Sequence, residues 1–120
     1  MSEDKHTIQS LPLPDFINRD KASENMAGDA GLLIMCIDAF VASNASVPST
    51  LRDAIKNQDT DQAKKLLHRL KGSLLSLGDE PLSDCAILAE QALENNDWDA
   101  CTRIPEMLED HLQQFQNKGS

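Results

Sequence analysis

Thr60-Asp61-Gln62-Ala63-Lys64-Lys65-Leu66-Leu67-His68-Arg69-Leu70-Lys71-Gly72-Ser73-Leu74-Leu75-Ser76-Leu77, closed by Gly78, is the stretch on which the fold and function of this chain turn. Its apolar residues recur at three and four, the period of an amphipathic helix. Asp59-Thr60-Asp61-Gln62 has the chemistry of a helix start, with acids at the positive end of the dipole, and Gly78 is a good stop. At about 100° per residue, Ala63, Leu66, Leu70, Ser73, Leu74 and Leu77 fall opposite His68 and are expected to face the core. Lys64, Lys65, Lys71, Gly72 and Leu75 fall within about 60° of His68, on the solvent side.

Three features of that outer face are unusual. Four of the chain's 11 basic residues (Lys64, Lys65, Arg69 and Lys71) lie within eight positions, and no acid occurs from Gln62 to Gly78. Gly72 stands in a helix interior, where glycine costs about 1 kcal/mol relative to alanine. That cost is understandable where something must approach the backbone closely. Leu75 is an apolar residue on an otherwise polar face. An exposed histidine, a lysine cluster or a mid-helix glycine is each ordinary alone; their conjunction is not.

The rest of the chain reads the same way. A short helix is expected over Asn18–Met26, then Gly28-Asp29 as stop and N-cap for Ala30–Asn44, with Pro48 breaking or kinking an apolar stripe that continues to Gln58. Pro81 suits the first turn of a helix carrying Leu82, Ala86, Ala89 and Leu93. After Asn96-Asp97, a last helix begins near Trp98 and includes Ile104, Leu108, Leu112 and Phe115, with Pro105 expected to kink it. Nothing reads as a strand. The expectation is an all-α chain: an antiparallel up-and-down four-helix bundle over residues 15–117, with a short additional N-terminal helix. Residues 1–14, ending in Leu11-Pro12-Leu13-Pro14, are expected to form a flexible tail or linker.

Composition narrows the function classes. The chain has 120 residues, 40% hydrophobic and only 3% aromatic, so its core must be aliphatic. A net charge of −9 argues against nucleic acid or an anionic membrane as partner. No apolar run reaches the length of a membrane span, and the first ten residues are too polar for a signal peptide. Cys36, Cys85 and Cys101 form no CxxC pair and read as small buried hydrophobes in a reducing cytoplasm. His6 and His111, which lack a basic cluster or a small neighbour, read as surface residues. Asp59, Asp61, Asp79 and Glu80 read as helix-end residues, and no metal-ligand spacing is present.

The stretch Leu67–Gly78 resembles the signature of histidine-containing phosphotransfer (HPt) domains, His-x-x-Lys-Gly with a second Gly six residues later. Leu82, Ala86, Ala89 and Glu90 fit that family's following helix, Asn96-Asp97 its next turn, and Phe40 with Leu51–Ile55 its preceding helix. Leu75 departs from the pattern, because a small residue often stands there in the family. The resemblance implies a cytoplasmic phosphorelay intermediate. His68 would accept a phosphoryl group from an aspartyl phosphate on one receiver domain and pass it to another. It implies that Lys71 stabilises phosphoryl charge and that Gly72 leaves room for the receiver. Lys64, Lys65, Arg69 and Leu75 would join Gly72 in docking.

The implied partners are response-regulator receiver domains and a hybrid sensor histidine kinase. No cofactor is expected on this chain, with Mg²⁺ on the receiver instead. No P-loop or Gly-rich kinase loop is present, so a phosphocarrier without kinase activity is expected, and as a monomer. An alternative from another class is a helical adaptor that docks through the same face without transferring phosphate. The polar, Pro-punctuated N-terminus also fits a domain drawn from a larger hybrid kinase.

Overall fold

A computed structural model of the chain describes residues 7–117. Among these the structure is all-helical, with α1 (Arg19–Asn25), α2 (Ala30–Asn44), α3 (Val47–Lys56), α4 (Thr60–Leu77), α5 (Glu80–Leu93) and α6 (Ile104–Gln116). Side-chain caps start four of them. Asn18, Asp29, Asp59 and Asp79 accept from the backbone N–H groups of Lys21, Leu32, Gln62 and Leu82, satisfying donors that a helix cannot pair internally. Prolines start the other two and α5: Pro48, Pro81 and Pro105 each lie in a first turn, where a missing N–H costs nothing.

That placement corrects the expected last helix. Pro105 kinks nothing, because the helix begins at Ile104, and Cys101–Arg103 before it is a separate 3-10 turn. Pro48 similarly separates α2 from α3, as the broken stripe indicated.

The helices enclose one aliphatic core in which Leu33, Leu51, Leu67, Leu74, Leu82 and Leu108 are fully buried. α4 packs most extensively on α5 and also on α3; α2, α3 and α5 all contact α6. One position on α4 differs from the helical wheel: Ser73 is exposed. Leu67, which the wheel assigned to neither face, is buried, so the buried arc is centred roughly 30° toward α5 from the point opposite His68. Extensive packing against α5 gives that rotation its physical cause.

The N-terminal segment also departs from expectation over residues 7–14, while residues 1–6 lie outside the described range. Ile8 and Leu13 are buried, Ile8–Ser10 forms a 3-10 turn, and Arg19 Nη1 donates to the carbonyls of Ile8, Gln9 and Leu11. This stretch is therefore packed chain, not free tail: Ile8 and Leu13 join the core, and the 3-10 turn lies against α1.

His111 is the second correction. It is 7% exposed, its Nδ1 pairs with Asp79 Oδ2, and its ring stacks on Phe16 at 3.7 Å. His111 completes the stripe of Ile104, Leu108 and Phe115, and a polar residue on such a stripe needs a buried partner. Asp79 supplies it while also capping α5. Of the cysteines, Cys101 is buried and its thiol is pushed up to about 11 by desolvation, whereas Cys36 and Cys85 are half-buried. No single helix among the described residues is long and apolar enough to cross a membrane.

Candidate functional site

His68 projects from the middle of α4 with 71% of its side chain exposed. Its Nδ1 lies 3.3 Å from Glu90 Oε2 on α5, and Lys71 Nζ, one turn along α4, lies 3.0 Å from Glu90 Oε1. One carboxylate thus bridges the imidazole and the lysine. A carboxylate accepts, so the proton of the neutral ring is held on Nδ1, leaving Nε2 with the free lone pair.

Glu90 itself is 24% exposed. Burial alone would raise its pKa; the hydrogen bond and charge of Lys71, followed by those of His68, outweigh burial and hold the carboxyl below its ordinary range. A depressed carboxyl stabilises the fold above its ordinary pKa, and that contribution is lost as pH falls through the depressed value.

The remaining residues of the face divide by flank. Lys64 Nζ is paired with Glu94 Oε1 at 2.8 Å, toward α5. Lys65 and Arg69 are not within ion-pair distance of any acid among the described residues, and the wheel places both on the opposite flank. A Cβ built on Gly72 would meet nothing within 4 Å, so the glycine leaves a bare strip of helix rather than serving a packed contact. Leu75 is 46% exposed, and its carbonyl accepts from Asn25 Nδ2 at 2.9 Å, which ties α1 to the last turn of α4.

All seven residues singled out on α4 therefore share one outer face, but they are not equivalent. Lys71 and Lys64 are already matched by acids, whereas Lys65 and Arg69 are not. The participant missed as a site residue is Glu90. Its signal was positional: Glu90 stands four after buried Ala86 and three before buried Leu93, so it flanks the apolar stripe of α5. An acid at the edge of a buried stripe needs a cation from the neighbouring helix.

The family model of the Hpt domain matches residues 36–118 of the chain. The chain belongs to the Hpt domain family. Hpt domains are helical phosphocarriers of phosphorelay signalling, not kinases, and they work with receiver domains of two-component systems. No curated protein and no solved structure matches significantly. The Hpt match begins inside α2, so the segment that packs through Ile8, Leu13 and Ile17 lies ahead of the matched span.

Gly72 allows a direct test of this geometry. Gly72→Ala is expected to raise stability by up to about 1 kcal/mol, because the new methyl meets open space and removes a helix-interior glycine. Urea denaturation measures it. A loss of stability would mean that the strip is packed.

Proposed function

We propose that this Hpt domain is a phosphorelay intermediate: His68 takes a phosphoryl group from the aspartyl phosphate of one receiver domain and gives it to another. What carries the reading is the single constellation of an exposed His68, its Nδ1 engaged by Glu90, beside Lys71 and bare Gly72.

The chemistry follows from those atoms. The Nε2 lone pair attacks phosphorus, the N–P bond forms, and the P–O bond to the receiver's aspartate breaks with its electrons leaving on the carboxylate. The ring, still carrying its Nδ1 proton, becomes cationic, and the Glu90 carboxylate beside Nδ1 stabilises that charge. Lys71 presents its ammonium to the phosphoryl oxygens, sharing it with Glu90. Mg²⁺ belongs to the receiver, as does the leaving carboxylate. Gly72 gives the receiver's loop access, while Leu75, Lys64, Lys65 and Arg69 form the surrounding docking face.

In this reading the fold is a four-helix bundle whose legs are the broken α2–α3 pair, α4, α5 and α6, with α1 as the short extra helix. The domain works as a cytoplasmic monomer with a hybrid sensor kinase upstream and a response regulator downstream.

Incubation with a panel of receiver domains phosphorylated by acetyl phosphate tests the proposal, with phosphohistidine at residue 68 as the expected product. Receivers that bind without labelling the chain would leave only the adaptor role. Lys71→Ala is expected to slow transfer by roughly ten- to a thousandfold while melting stays close to the parent; unchanged rapid-quench rates would remove Lys71 from the chemistry. Gly72→Gln is expected to stay folded and to be labelled by phosphoramidate, yet to accept slowly from receivers. Unfolding of that variant would contradict the open strip.

A further inference from the structure

α2 is apolar nearly all the way round. Leu33, Ile37 and Phe40 are buried in the core, yet the rest of the helix is also short of charge. Asp38 is the one charged residue among its 15, in a chain that is 26% charged. Opposite the buried side runs an exposed strip of Gly31, Leu32, Met35, Ala39 and Ala42, with Asp38 at its edge, all within about 60° of Met35. Met35 itself is 69% exposed. Leu75 and Leu88 stand singly on α4 and α5, as exposed leucines commonly do. A helix without a polar side is ordinarily covered on both sides, and within this chain the outer strip of α2 is not.

The order of sizes along the strip selects what covers it. Its first half carries the large side chains of Leu32 and Met35, its second half the small ones of Ala39 and Ala42. A second copy laid head to tail about a two-fold axis level with Ile37 sets Met35 over the copy's Ala39 and Leu32 over the copy's Ala42. Each contact then occurs twice, so one run of four residues supplies both sides. A parallel copy would instead set Met35 on Met35. Two chains of formal charge −9 also approach at least electrostatic cost where charge is sparse. We propose that the chain pairs with a second copy of itself through this strip, antiparallel, with Met35 seated over Ala39. Area sets the strength of the pair. A helix of 15 residues spans about 22 Å, so one helix on one helix falls short of the roughly 800 Å² per partner of a stable interface. The pair is therefore weak and forms where copies are concentrated, and the monomer stays the unit that meets a receiver. The pairing is independent of the chemistry at His68.

Sedimentation equilibrium from about 10 µM to about 1 mM chain, at 0.05 and 0.5 M salt, tests the pair. The parent is expected to be monomeric at the dilute end and to dimerise toward the concentrated end. Association is expected to tighten at high salt, which screens the repulsion between two acidic chains. Met35→Glu is expected to weaken association at least tenfold, with circular dichroism and melting close to the parent. Ala39→Leu makes the strip more apolar yet fills the hollow under Met35, so it too is expected to weaken the pair. Leu88→Lys is expected to leave association within twofold of the parent. A parent that stays monomeric at about 1 mM in high salt, or association indifferent to Met35→Glu, overturns the pair. Stronger association of Ala39→Leu would show unspecific adhesion and overturns it as well. Slower transfer from a receiver to Met35→Glu, with a parent that does not associate, assigns the strip to the receiver instead.

Discussion

His68→Gln is expected to fold and melt as the parent does and to accept no phosphoryl group from any phosphorylated receiver. The side chain is 71% exposed and its polar contact, at 3.3 Å, is to Glu90, so its removal falls among surface changes worth within about 0.5 kcal/mol. Glu90 keeps Lys71 as its partner, and no charge is stranded. Among the described residues the other histidine offers no ready substitute: His111 is 7% exposed, with Nδ1 committed to Asp79 and one ring face to Phe16. Radiolabel retained on His68→Gln would sink the assignment of the nucleophile.

Gly78→Ala is expected to destabilise the fold by about 2–4 kcal/mol, the largest stability effect foreseen for so small a change. Gly78 has φ +83°, a left-handed conformation that costs an L residue roughly 1–2 kcal/mol. A Cβ there would also lie 2.7 Å from the Asn18 carbonyl oxygen and 3.3 Å from Ala22 Cβ. The first of these is backbone, which cannot swing aside. The start of α1 would have to move, straining the hydrogen bond from Asn18 N–H to the Gly78 carbonyl at 2.8 Å. Urea denaturation of Gly78→Ala beside Gly72→Ala gives opposite signs for one chemical change on one helix. Equal effects would contradict the close crossing of α1 over the end of α4.

Local chemistry was the legible part of this fold. Asp29 and Asp59 cap where an acidic residue precedes an apolar run, Gly78 ends α4, Pro48 marks the break after α2, and Pro81 opens a helix. The outward face of α4 was legible because period alone places His68 opposite Leu70 and Leu77. What escaped depended on partners distant in sequence. Pro105 reads as a kink or a start depending on whether the turn before it is helical, and Cys101–Arg103 forms only a 3-10 turn. His111 looked like surface because its partner, Asp79, is 32 residues away. Glu90 lies 22 residues from His68, and no periodicity within α5 says which helix lies alongside. Ser73 turned outward and Leu67 inward because a wheel fixes relative angles but not the rotation at which neighbouring helices grip it.

The bridge from Glu90 to Lys71 bears on the energy of the loaded state. A phosphoryl group on His68 would stand on a largely exposed ring, and Lys71, the cation proposed for it, is already shared with the Glu90 carboxylate. Such a site would give the group no deep well: beside the N–P bond it would have a shared lysine, and water would solvate the rest. In the proposed carrier, phosphohistidine at residue 68 would keep a high group-transfer potential, and mass action between the receivers on either side would set the direction of flow, with the carrier neither hoarding the group nor rectifying its passage.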